Sequence, residues 1–251
     1  MPIIFDGRVF AEEKIKKLDK EVAKLKNRGI HPKLASILVG DDPASRLYVS
    51  LKKKAAERVG IELEIIDSID EISRLNKDED VHGIMIQMPL PGELAGRTKE
   101  IINSIAPHKD VDGLREDSPF VHPTAMAVLQ TIKEAIKQLK IDNLQFTICV
   151  VGSAGMVGGA FLKEIKKTNY QLVEKSEEAD ILVSTTGSPN IIKAKMVKKG
   201  AIVIDVGSPK GDCDPEVSKV AGFITPVPGG IGPITIASLL ENLVKASEAI
   251  V

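Results

Sequence analysis

The sequence lacks an excess of charge of either sign: 34 lysines and arginines stand against 35 acids, for a formal net charge of −1. That balance gives no electrostatic reason to expect nucleic acid or an anionic membrane as a partner. Cysteine is scarce. Cys149 falls in an apolar run and Cys213 in a loop-like stretch, so two distant thiols build no disulfide framework and are expected to be reduced. The four histidines, at positions 31, 82, 108 and 122, have no cysteine or carboxylate partners at ligand spacing, and no metal site is expected. There is no internal repeat, no low-complexity segment, no nucleophile elbow and no phosphate loop of the G-x-x-x-x-G-K type. No apolar run is long enough to span a bilayer, and the opening Met1-Pro2-Ile3-Ile4-Phe5-Asp6-Gly7 does not read as a signal peptide. A soluble, cytoplasmic protein is expected.

What is present is a chain of 251 residues, 43% hydrophobic, enough for one large or two modest domains. Its most informative stretch is Thr147-Ile148-Cys149-Val150-Val151 followed by glycines at 152, 155, 158 and 159. This reads as a buried strand, a tight turn and the start of a helix. Glycine permits the sharp turn and lets a pyrophosphate approach main-chain N–H groups at the positive end of the helix. The spacing G-x-x-G-x-x-G differs from the common G-x-G-x-x-G, so by itself it leaves open a plain strand-to-helix turn.

Before it, the pattern alternates. A helix is predicted over 8–28, with Ile15, Leu18, Val22 and Leu25 on one stripe, then a strand over 33–40. A helix capped at Ser45 is predicted to run to about Val59 with Leu47, Leu51 and Ala55 on its apolar stripe. Strands at 62–67 and 83–88 flank a helix around 69–77, an order that argues for a parallel sheet. After a loop over 106–118 comes a long helix from Pro123 to about Leu139. Further strands are predicted at 145–151, 171–174, 180–185, 201–206 and 222–225. The Pro- and Gly-rich segment 225–233 opens a closing helix over 234–250. The fold class is α/β: two α/β domains flanking a cleft, the second a Rossmann-like dinucleotide-binding domain. The boundaries expected are 1–121 with 234–251 for the first and 122–233 for the second.

Several side chains can carry chemistry. Tyr48 and Lys52 lie at i and i+4 and share a helix face. With Lys53 and Lys54 adjacent, Lys52 reads either as part of a solvated basic stripe or as a lysine whose pKa is lowered by neighbouring cations and burial into a proton shuttle. Tyr48 can stack on a flat heterocycle. Gln87 ends an apolar strand, as a surface cap or as a donor–acceptor pair aimed into the cleft. Asp110 and Asp112 are turn formers, or one of them is a carboxylate holding an amidine-like ring edge by two hydrogen bonds.

Together these stretches resemble the bifunctional methylenetetrahydrofolate dehydrogenase/cyclohydrolase family. The resemblance rests on Ser45–Lys52, Gly83–Pro91, Pro107–Leu114, Val150–Gly158, Ala201–Gly207 and Ile224–Thr235, in the family's order and over nearly the whole chain. It implies oxidation of 5,10-methylenetetrahydrofolate by hydride transfer to a nicotinamide, then hydrolysis of the methenyl product to 10-formyltetrahydrofolate. It also implies one-carbon metabolism serving purine biosynthesis, tetrahydrofolate one-carbon derivatives as ligands, and a homodimer. It assigns Lys52 to the cyclohydrolase step, Tyr48 to the folate ring, Gln87 to tuning the lysine and Asp112 to the pterin edge. Pro89, Pro228, Gly229, Gly230 and Ile231 are implied as further substrate contacts. Cofactor contacts are implied at Gly152, Ser153, Ala154, Gly155, Val157, Glu174, Lys175, Thr186, Gly187 and Ile231.

The chain departs from the family pattern where the cofactor is expected. Gly152-Ser153-Ala154 stands where the family usually has Gly-Arg-Ser, and the His-Ser stretch after the next strand is missing from the shortened Tyr170–Ser176. Glu174 lies about 22 residues beyond Gly152, where an acid commonly binds an adenosine ribose, yet Lys175 and Ser176 can hold a phosphate. NADP is the cofactor expected from family habit, with NAD left open. Val121-His122-Pro123 replaces the family's Cys-Thr-Pro. The competing readings are another two-domain NAD(P) dehydrogenase and a folate- or nucleotide-binding protein without turnover.

Overall fold

A computed structural model describes residues 1–142 and 145–249. In chain order, the first half contains β1 (Ile3–Ile4), α1 (Gly7–Asn27), β2 (Lys33–Ile37), α2 (Pro43–Arg58), β3 (Glu62–Ile66), α3 (Ile72–Lys77), β4 (Gly83–Ile86) and α4 (Thr98–Asn103). The second contains α5 (Pro123–Gln138), β5 (Thr147–Val151), α6 (Met156–Ile165), β6 (Gln171–Leu172), β7 (Ile181–Ser184), β8 (Ile202–Asp205), β9 (Phe223–Ile224) and α7 (Ile231–Glu248). Two compact units result. One joins Met1–Ala11 to Thr124–Thr235; the other joins Glu12–Pro123 to the chain from Ile236 on.

The second of these units is built on a three-stranded sheet of order β3-β2-β4, parallel throughout. β2 and β4 are short and buried on both faces, as parallel strands covered by helices must be, whereas the edge strand β3 buries Leu63 and Ile66 and exposes Glu62 and Ile65. Ala35, Ile37, Ile66, Leu75, Val81, Ile84 and Ile86 form a core with Ile101, Ile102 and Ile105 around α4. Each large aliphatic side chain taken from water contributes about 1.5–3 kcal/mol. Gly83 opens β4 without a side chain because Leu243 of α7 and Val111 fill the space: a Cβ there would lie 2.7 Å from Leu243 Cδ1. Along α1 the predicted stripe of Ile15, Leu18, Val22 and Leu25 is buried, and Gly29 takes the left-handed turn (φ +81°) that ends it.

Helix α2 differs from expectation in two ways. Its N-cap is Asp42, whose carboxylate accepts from the Ser45 N–H at 2.7 Å, with Pro43 in the first turn. Its buried face is Ser45, Val49, Lys52 and Ala56, while Leu47 and Leu51 are 59% and 42% exposed. The inward face is therefore the one with a lysine and a serine on it, which an apolar-stripe reading assigns to solvent.

The other unit carries a six-stranded sheet of order β1-β9-β8-β7-β5-β6, again all parallel. All five predicted strands of the second half are present. β1 was not anticipated: two residues carry no alternation, and their partners in β9 lie about 220 positions away in sequence. The closing helix begins at Ile231, three residues ahead of expectation, with Pro233 in the first turn, where its missing N–H costs no helical bond. The expected end of that helix, Ile250, lies outside the described residues. Among the described residues no helix is long and apolar enough to cross a membrane.

Candidate active site

In the three-stranded unit the chemistry collects at the carboxyl end of β4. Lys52 extends inward from α2 and is 9% exposed, whereas Lys53 and Lys54 face solvent. Its Nζ donates to Gln87 Oε1 at 2.9 Å and lies 3.5 Å from Met85 Sδ. The Gln87 Nε2 donates to the Met88 carbonyl at 2.9 Å, which turns the amide so that its oxygen faces the lysine. Gln87 is itself placed by its backbone N–H, which donates to Ile37 O at 2.8 Å as the ladder ends. Burial pushes the Lys52 pKa down and the Asp112 carboxylate opposes that shift. Of the two causes expected from the sequence, burial and neighbouring cations, burial is the one that lowers it.

The two loop aspartates divide the work. Asp110 is buried; its Oδ2 accepts from the Arg115 N–H at 2.8 Å, and its carbonyl accepts from Ser118 Oγ at 3.0 Å. Burial raises its pKa. Asp110 is thus the turn former. Asp112 is half-buried and acts electrostatically on both Lys52 and His122. Gly113, at φ +62°, lets the loop pass close to the chain at 120–122, since a Cβ there would lie 2.6 Å from the Phe120 carbonyl. Tyr48, half-buried, sits one helical turn before Lys52; Pro89 is exposed and joined to Met88 by a cis peptide.

In the six-stranded unit, β5 runs into the glycine turn. Gly152 has φ +88°, and a Cβ on it would lie 2.8 Å from the Thr185 carbonyl carbon. A Cβ on Gly158 would collide with the Gly152 carbonyl, so this glycine lets α6 pack onto the turn. Gly155 is the N-cap of α6 and supplies no side-chain cap. The first N–H groups of the helix therefore keep the capacity to bind an anion. Ser153 and Val157 are half-buried, Ala154 exposed, and Thr186 and Gly187 follow β7 immediately. This arrangement fits a dinucleotide: tight turn, close backbone approach, and close helix packing are each supplied by one glycine.

Comparison with known proteins decides the family. The model of the tetrahydrofolate dehydrogenase/cyclohydrolase catalytic domain matches residues 5–112, and that of its NAD(P)-binding domain matches residues 123–251. This chain belongs to the tetrahydrofolate dehydrogenase/cyclohydrolase family. A bifunctional protein FolD of Bacillus cytotoxicus is 39% identical over 98% of this chain and 96% of its own length. The bifunctional FolD methylenetetrahydrofolate dehydrogenase/cyclohydrolase of Campylobacter jejuni superposes with a TM-score of 0.89 at 32% identity, covering 100% of both chains. The methylenetetrahydrofolate dehydrogenase-cyclohydrolase of Trypanosoma brucei, solved with NADP and an inhibitor, gives 0.85 at 29% identity over 99% of this chain and 98% of that one.

With the tetrahydrofolate dehydrogenase/cyclohydrolase family in hand, several residues stand out that sequence reasoning gave no role. His122 is buried, and burial lowers its pKa, with Asp112 raising and Lys52 lowering it. Its only sequence signal was the departure from Cys-Thr-Pro. Asn242 of α7 donates through Nδ2 to the carbonyls of Val111 and Val121, both at 2.9 Å, and so pins both sides of the aspartate loop.

In the six-stranded unit a pair of buried carboxylates ties the strand ends together. Asp212 Oδ2 accepts from Ser184 Oγ and from the Thr186 N–H, each at 2.7 Å. Asp205 Oδ1 accepts from the N–H groups of Gly207 and Asp212, and its Oδ2 from that of Cys213. Thr225 Oγ1 accepts from the Asp205 N–H at 2.7 Å, and Thr185 Oγ1 donates to the Val151 and Gly152 carbonyls. Asp205 closes an apolar strand just as Gln87 does, and that was the available signal. Beyond Thr225 come the cis-linked Pro228, Gly229 at φ +105°, Gly230, and the buried Ile231. Among the described residues, no group of three or more His, Cys, Asp or Glu side chains is arranged to hold a metal.

Proposed function

We infer that this protein oxidises 5,10-methylenetetrahydrofolate to 5,10-methenyltetrahydrofolate with NAD(P)+ and hydrolyses that product to 10-formyltetrahydrofolate. Within the family membership, the observation that adds hydrolysis to the dehydrogenase step is Lys52: a lysine taken out of solvent, with a lowered pKa, held by Gln87 beside Asp112. Of the expected boundaries, 12–121 with 234–251 is proposed as the folate-binding catalytic part and 122–233 as the dinucleotide-binding part; residues 1–11, expected in the former, add β1 to the sheet of the latter.

In the proposed site Tyr48 packs on the folate ring and Asp112 accepts hydrogen bonds from the pterin edge. Pro89 and the loop of Pro228, Gly229, Gly230 and Ile231 supply further substrate contacts. A bound dinucleotide supplies the hydride acceptor of the first step. The turn of Gly152, Ser153, Ala154, Gly155 and Val157 would hold its pyrophosphate on main-chain N–H groups, with Thr186, Gly187 and Ile231 alongside.

For hydrolysis, burial enlarges the fraction of neutral Lys52 at working pH. Neutral Lys52 accepts a proton as the oxygen of water bonds to the cationic methenyl carbon. The resulting carbinol loses its hydroxyl proton and N5 gains one as the N5–carbon bond breaks, so the step releases one proton in all. Gln87 fixes the ammonium or amine in place throughout, which is worth more in rate than in affinity.

The test is a rate assay with 5,10-methylenetetrahydrofolate and each dinucleotide, following the methenyl chromophore. Its formation, then decay faster than an enzyme-free blank, is the expected course. A protein that binds folate but forms no methenyl product with either dinucleotide would refute the dehydrogenase step. We extend the reading to a cytoplasmic homodimer, on the family resemblance alone. A sedimentation mass near twice 27.0 kDa is the expected result, and a mass near 27.0 kDa at assay concentration would refute the dimer.

A further inference from the structure

We propose that Glu174 makes this chain discriminate in favour of NAD over NADP. The proposal rests on the dinucleotide reading above and deepens it. β6 is the edge strand beside β5, and the Val173 N–H donates to the Ile148 carbonyl at 3.0 Å, so Glu174 emerges at the carboxyl end of the strand next to the glycine turn. Its backbone is held there by Cys149, whose thiol donates to the Glu174 carbonyl at 3.5 Å. Its side chain is exposed. An acid at this place in a doubly wound sheet accepts hydrogen bonds from the adenosine ribose hydroxyls, and a 2′-phosphate there meets the same carboxylate as a like charge.

The groups that would hold a 2′-phosphate are missing or engaged. Position 153 carries serine, whose hydroxyl brings no charge. Lys175, the base nearest in sequence, has its Nζ 2.9 Å from Glu178 Oε1, and both Glu178 and Glu177 raise its pKa. Ser176 is buried. Over 174–178 the sequence is Glu-Lys-Ser-Glu-Glu, three acids to one base, so a phosphate dianion would approach a net negative segment. Arginine, the side chain best shaped to grip phosphate in two bonds, does not occur after Arg115. The one arginine of the six-stranded unit is Arg8. Its Nε lies 3.3 Å from where a Gly229 Cβ would be, just past β9, four strands across the sheet from β6. At about 4.8 Å per strand that is roughly 19 Å away.

The experiment is calorimetric titration of the full-length protein with NAD and with NADP, beside the methenyl assay run with each. Expected is at least ~10-fold tighter binding of NAD, the scale of one charge-assisted hydrogen bond gained or one like-charge contact avoided. Glu174→Gln should weaken NAD and narrow the ratio. The pair Ser153→Arg with Glu174→Ser should invert it, with the thermal midpoint unchanged as a check on folding. NADP binding as tight as NAD in the unsubstituted protein overturns the proposal, as does a ratio untouched by Glu174→Gln. If NAD binds more tightly and no methenyl product forms, the catalytic reading fails while the discrimination stands. Binding of neither dinucleotide overturns both.

Discussion

Asp212 is the residue whose removal most directly probes how the six-stranded unit holds its ligand loops. It is fully buried, and its Oδ2 takes two donors at 2.7 Å, the hydroxyl of Ser184 and the backbone N–H of Thr186. Hydrogen bonds to a charged acceptor contribute roughly 1.5–3 kcal/mol each, so Asp212→Ala forfeits about 3–6 kcal/mol gross. Against that, Oδ1 has no hydrogen-bond partner among the described residues, and removing a buried carboxylate recovers desolvation of a few kcal/mol. A net loss of roughly 2 kcal/mol remains. Asp212→Asn keeps an acceptor in place and weakens both bonds while removing the charge, so its cost should stay within about 1 kcal/mol. The chain supplies its own reporter for this unit: of its two tyrosines, Tyr170 packs edge-on against Phe146 at 6.1 Å between ring centroids. In a Tyr48→Phe background, urea unfolding followed by Tyr170 fluorescence should give the stability order wild type, Asn, Ala. Weakened dinucleotide binding should follow the same order, because the Thr186–Gly187 segment loses its anchor. An Ala variant as stable as the wild type, or one that binds dinucleotide unchanged, would refute this reasoning.

Other outcomes follow from the same geometry. Asn242→Leu removes both hydrogen bonds that pin the aspartate loop and should cost about 1–3 kcal/mol, measured by denaturant midpoint, with a raised KM for folate. Gly158→Ala drives a methyl into the Gly152 carbonyl and should cost about 1–3 kcal/mol, whereas Gly159→Ala, whose Cβ would find its nearest neighbour at 3.7 Å, should be neutral or stabilising by up to ~1 kcal/mol. Equal effects at the two positions would contradict the packing described. Because burial lowers the Lys52 pKa in the folded protein, the unfolded chain holds the extra proton between that lowered value and the ordinary lysine range. Stability should therefore rise with pH across that window and level off above it. Lys52→Met should flatten this slope and raise Tm near neutral pH by ~2–4 °C for each kcal/mol of desolvation relieved.

The β/α order, the long helix from Pro123 and the glycine turn were legible because they depend on local periodicity and on backbone positions that only glycine fills. The face of α2 was misassigned because the side chain that matters there is a lysine. Burying it costs stability, and nothing local distinguishes it from Lys53 and Lys54. The Asp42 cap was missed because Asp42 and Ser45 are both acceptable cap residues, and only the geometry of the turn chooses between them. Family resemblance singled out Lys52, Gln87 and Asp112; the hydrogen bond from Lys52 to Gln87 spans 35 positions and needed coordinates. The carboxylate network of Asp205 and Asp212 was invisible for the same reason, since its partners lie on three different strand ends. Asp110 and Asp112 look alike in sequence, and only burial and the Arg115 N–H separate the loop former from its neighbour.

The central claim is that buried Lys52 relays protons in the hydrolytic step. The most direct measurement is the decay of preformed 5,10-methenyltetrahydrofolate with wild type and Lys52→Met across a pH series. The account predicts a loss of about 10²–10⁴-fold in the variant. It also predicts a wild-type rate that climbs with pH and reaches its plateau below the ordinary lysine range. Decay by the folded variant at the wild-type rate, with the same pH profile, would contradict it.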